Sequence, residues 1–210
     1  MAGILDLLSS PMGKQIINGV SGQTGQSASA TGNVLSMALP VLMGAMKKNA
    51  QSPDGAAGLM SALSGKHDGS ILDNLGGLFE GGVDDNVLQD GAGILGHVLG
   101  DKQESVTSAL SSQSGMDTGG VGNVLKVAAP LLMGMLGKQS KQAGVSNASG
   151  LNGLLGGMLG GQPKQNQSLI TSLIDSDGDG SILDDVAGMV LGGGNKEGGI
   201  GGMLGGLFGK

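Results

Sequence analysis

The chain has 210 residues, enough for one ordinary domain or two small ones, and its apolar residues are mainly Leu, Ala, Met, Ile and Val. It contains no Cys, which excludes disulfides, a thiolate nucleophile and cysteine-ligated metal. A net charge of -6, with every cationic side chain a Lys and none an Arg, argues against broad attraction to nucleic acid and removes the bidentate fork that reads phosphate and guanine.

The opening "MAGILDLLSSPMGK" has no basic n-region and carries Asp6 within its short apolar run, so a signal peptide is not expected. No uninterrupted apolar stretch approaches the roughly 18 residues of a conventional spanning helix. Cytoplasmic residence is the default expectation. Lys14–Val20 is the first modest helical candidate. "GNVLSMALPVLMGAMKK" follows from Gly32, dense in apolar residues on both sides of Pro40. An interior proline costs about 3 kcal/mol, so the expectation is a broken or kinked helix whose second limb is buried through Leu42, Met43 and Met46.

Ser70, followed by Asp73, predicts an N-cap with an acidic residue at N3. Behind it, Ile71, Leu72, Leu75, Leu78 and Phe79 form an apolar face with helical spacing. Asp84–Gly100 reads as a further, interrupted helix, and Lys102–Leu110 as another modest one. "GNVLKVAAPLLMGMLGK" from Gly122 repeats the proline pattern, with Leu132, Met133 and Leu136 on its second limb. The glycine-rich tract from Ala148 carries a Leu/Met face, which the cost of glycine in a helix weakens. Ser181 and Asp184 restate the cap, followed by Ile182, Leu183, Val186, Met189 and Val190.

These segments are related in pairs. The two proline segments agree over seventeen residues at an offset of 90, placing Pro40 opposite Pro130 and Lys48 opposite Lys138. "DGSILDNLGGLF" from Asp68 corresponds to "DGSILDDVAGMV" from Asp179 at an offset of 111. The expectation is an all-α fold made by tandem duplication. It divides into a first helical repeat with connector over 1–95, a second over 96–194, and a flexible glycine-rich tail over 195–210. The recurring "LPVLMGAMKK" and "APLLMGMLGK", the opening "ILDLLSSPMGKQI" and the repeated "DGSILD" resemble the bacterial YidB-like family, DUF937. The resemblance covers most of 1–190. It implies an all-helical, duplicated fold and supplies no catalytic residues.

One stretch suggests metal chemistry. Asp175, Asp177 and Asp179 occupy positions 1, 3 and 5 of a calcium-loop pattern, with Gly180 at the bend and the Ser181 carbonyl at position 7. Position 12, where a bidentate carboxylate belongs, is Val186, leaving Asp185 as the nearby acidic candidate. The candidate calcium (Ca²⁺) ligands are therefore Asp175, Asp177, Asp179, Ser181 and Asp185, competing with a plain turn and cap. The first copy holds Ser64, Lys66 and Asp68 at the corresponding places, so metal binding would belong to the second copy alone.

His67 and His97 are the only histidines and lie in no HExxH frame, so each reads as a surface or partly buried side chain. No GxSxG elbow and no phosphate-binding glycine loop occurs. The expected function is noncatalytic, in binding an unidentified protein partner or in self-association. The alternatives are a calcium-responsive structural module and, third, peripheral association with a membrane surface.

Overall fold

The computed structural model describes residues 4–160, which form nine α-helices and two short 3₁₀ turns with no strand among the described residues. The helices are α1 (Ile4–Ser9), α2 (Pro11–Thr24), α3 (Ala28–Asn49), α4 (Pro53–Ser64), α5 (Leu75–Phe79), α6 (Asp85–Leu99), α7 (Gln103–Ser114), α8 (Thr118–Gln142) and α9 (Ala148–Leu159). The all-α expectation holds. The calcium-loop candidates Asp175, Asp177, Asp179, Ser181 and Asp185, and the tail over 195–210, lie outside the described residues.

The centre is the pair α3 and α8, packed against each other and surrounded by the shorter helices. Both are apolar around most of their circumference, the pattern of a helix buried on all sides. Neither breaks at its proline: α3 runs through Pro40 and α8 through Pro130. Leu42, Met43, Met46, Leu132, Met133 and Leu136 are all buried, as the spacing predicts. Each such side chain contributes about 1.5–3 kcal/mol on burial, so a few of them outweigh the roughly 3 kcal/mol cost of one interior proline. Both helices are long and apolar enough to cross a membrane, yet 67% and 78% of their most apolar windows are buried inside this fold.

Helix starts are fixed by short polar side chains. Ser10, Ser27 and Ser52 each accept the amide of the residue three positions on, all at 3.1 Å. Asp117 and Asn147 do the same at 2.9 and 2.8 Å. Pro11 and Pro53 sit at first helical positions, where the missing N–H would have had no intrahelical partner. The weakly predicted tract after Ala148 is the regular helix α9, because Leu151, Leu154, Leu155 and Met158 follow the spacing of one buried face. α6 is likewise continuous rather than interrupted.

Ser70 is not an N-cap of a regular helix. Asp68 Oδ1 accepts the Ser70 amide at 3.0 Å, Gly69 turns at φ 104°, and Ser70–Leu72 form only a 3₁₀ turn. The regular helix starts later, at Leu75, where Asn74 Oδ1 accepts the Gly77 amide at 3.1 Å. This segment lies against α8, where Lys138 reaches Asp73 at 3.1 Å and Lys141 reaches Asp68 at 2.8 Å. A side chain at Gly134 would strike Ile71, and one at Gly137 would strike the His67 carbonyl.

Candidate functional site: a cleft between α4 and α6

Asp54 and the α4 residues Gly55, Gly58, Leu59 and Ala62 recur at helical spacing and form one wall of a cleft of about 770 Å³. Asp90, Gly93, Ile94 and His97 repeat that spacing on α6 and form the facing wall. Buried Val98 and Met133 lie beneath them. At the inner end, Asn49 at the end of α3 donates to the carbonyls of His97 and Val98 at 3.1 and 3.4 Å, which holds the C-terminal turn of α6 in place.

The chain's two histidines, thirty residues apart in sequence, both line this cleft. His67 follows α4 and is buried. Its Nε2 lies 3.7 Å from Asp90 Oδ2, beyond hydrogen-bond reach, while Lys66 Nζ holds Asp90 Oδ1 at 2.7 Å. Burial pushes the His67 pKa below its ordinary value; the Asp90 carboxylate opposes this and the Lys66 ammonium adds to it. His97 is exposed and anchored differently, with Nδ1 3.2 Å from the Gly93 carbonyl. A carbonyl oxygen only accepts, so Nδ1 is the donor in this contact.

No hydroxyl or thiol lines the cleft, and no group of three or more His, Asp or Glu with metal-binding geometry occurs among the described residues. The arrangement offers hydrogen-bond acceptors above an apolar floor, which suits binding. It brings together residues that the sequence leaves in separate segments. The signal available in the sequence was the shared helical spacing of Asp90, Gly93, Ile94 and His97, and nothing local paired that face with α4.

Lys66 and Asp68, which align in sequence with the calcium-loop candidates Asp177 and Asp179, are held in charge pairs. Lys66 is committed to Asp90, and Asp68 to Lys141. Hydrogen bonds from the Lys141 ammonium and then from Ser70 hold the Asp68 carboxyl well below the usual carboxylate range.

No curated protein and no solved structure matches the chain. A family model described as bacterial protein of unknown function matches residues 6–139 and 141–210, almost the whole sequence, and the chain therefore belongs to that family, DUF937.

Proposed function

We propose that this is a noncatalytic binding protein, built by duplication of a three-helix unit, whose binding element is the cleft between α4 and α6. The observation that carries the binding reading is the cleft itself, with buried His67 and paired Asp90 set beside an apolar floor and no hydroxyl or thiol among its described lining residues. Its volume falls in the range of roughly 300–1,000 Å³ usual for small-molecule sites. Duplication is supported by matching features at an offset of 90. Gly25 and Gly115 end α2 and α7 in the left-handed conformation, Ser27 and Asp117 cap α3 and α8, and Pro40 and Pro130 lie inside them. The third helices are exchanged: α4 packs on α8 and α9 on α3.

A fragment screen on the full chain by amide NMR tests the binding reading. Saturable hits should cluster on the amides of Gly58, Gly93 and Val98, with the fragments recovered chemically unchanged. Hits confined to other surfaces, or fragments converted to products, would overturn it.

The second reading is a calcium-responsive module, supported by the alternating carboxylates Asp175, Asp177 and Asp179 before Gly180. Calorimetry on metal-stripped protein should then give saturable calcium heat that the double variant Asp175→Asn, Asp179→Asn abolishes; no heat in the parent chain removes this reading.

A further inference from the structure

We propose that the cleft between α4 and α6 selects small amphiphilic organic cations, namely alkyl chains bearing a primary ammonium group; this rests on the binding reading above.

The polar inventory of the cleft is unbalanced towards acceptors. Asp54 carries a carboxylate with no bond to any other described residue. Asp90 Oδ1 is taken by Lys66, which leaves Oδ2 without a hydrogen bond among the described residues. In its neutral form His97, with Nδ1 donating to the Gly93 carbonyl, adds Nε2 as a further acceptor. Among the donors, Lys66 Nζ is paired with Asp90 and Asn86 Nδ2 donates to Asp84 Oδ1 at 2.7 Å, while the Gln89 amide completes the lining. A ligand that completes this set brings N–H donors and positive charge. A carboxylate or phosphate would face Asp54 and Asp90, with Lys66, already paired with Asp90, as the one described cation in the lining to offset them.

The remaining lining sets the rest of the ligand. Leu59, Ala62 and Ile94 present apolar surface along the walls, a place for an alkyl chain rather than a second charge. Two glycines keep that space open. Gly58 and Gly93 lie in helix interiors, where glycine costs about 1 kcal/mol relative to alanine, and a Cβ on either would meet nothing within 4 Å. No internal packing requires them, so a larger side chain at either position fills the cleft and favours its helix.

That property gives a test in which loss of binding is not loss of fold. The full chain is titrated with hexylamine, hexanol and hexanoate at neutral pH, following the amides of Gly58 and Gly93 and the ring signals of His67 and His97. Hexylamine should saturate these signals at least about tenfold more tightly than hexanol, the difference expected for a charge-assisted hydrogen bond, and hexanoate should leave them unmoved. Gly93→Leu should abolish the hexylamine response with a urea midpoint equal to or above that of the parent, and Asp54→Asn should weaken it. Hexylamine binding that survives Gly93→Leu overturns the proposal. If hexanol or hexanoate saturates the same signals as tightly as hexylamine, cation selection fails while the cleft remains a binding site. If no probe saturates them, both readings fail.

Discussion

The imidazole of His67 and the carboxylate of Asp90 stand 3.7 Å apart, close enough to attract once the ring is charged and too far for a hydrogen bond while it is neutral. Burial dominates, and the ring resists protonation in the fold. The unfolded chain therefore takes up the proton first, near the ordinary value of 6.5. The contribution of His67 to stability is full above about pH 6.5 and declines as pH falls from there towards the lower folded-state pKa. Urea midpoints measured from pH 7.5 down to 5 should show this decline, and His67→Gln should flatten it. The depressed Asp68 carboxyl acts separately: its contribution is lost only at lower pH, beneath the ordinary aspartate value of 3.8.

Two glycines on α6 should respond to alanine with opposite sign. A side chain at Gly91 would collide with the backbone carbonyl of Lys126 on α8, whereas Gly93 faces open space. Gly91→Ala forces the two helices apart and should destabilise the chain by about 1–3 kcal/mol. Gly93→Ala removes the entropy cost of a helical glycine and should stabilise it by up to about 1 kcal/mol. Urea denaturation of both variants under one set of conditions decides the matter; a shared sign would contradict the packing described.

Thr31 is fully buried in the first turns of α3, and its hydroxyl has no hydrogen-bond partner among the described residues. The position ninety residues later is Val121, also fully buried. Valine keeps the branched shape and removes the unsatisfied oxygen. Thr31→Val should therefore stabilise the protein by about 1 kcal/mol, read as a higher denaturation midpoint with an unchanged m-value.

Self-association is a separate expectation, resting on the apolar pattern Ile200, Met203, Leu204, Leu207 and Phe208. Light scattering on the full chain and on a version ending at residue 191 measures it. The full chain should show more subunits per particle; the same number of subunits for both would remove a role for this segment in assembly.

Much of the helical framework was legible because helix signals are local. The helices at Lys14–Val20 and Lys102–Leu110 and the apolar runs around Pro40 and Pro130 can be read within a few residues, whereas α4 was not foreseen. Where the local signal misled, a contact from a distant segment had displaced it. Ser70 looks like a cap, but Asp68, Gly69 and Asp73 are held on α8 by Lys138, Lys141 and two glycines, and the regular helix begins only at Leu75. α9 was underestimated for the converse reason, since burial of Leu151, Leu154, Leu155 and Met158 offsets the propensity cost of its glycines.

The cleft depended on tertiary structure throughout. Composition had already set the chemistry available to it: no cysteine, no arginine, two histidines and an excess of carboxylates. Asp90, Gly93, Ile94 and His97 share a helical face only because α6 is continuous, where the sequence predicts an interrupted helix. That this face meets α4, that His67 is buried beside Asp90, and that the glycines there border open space follow from the packing of α4 and α6 around α8. Backbone hydrogen bonding and side-chain periodicity operate over a few residues and are written into the sequence. The choice of which faces meet is made by burial summed over the whole fold, and no single segment contains it.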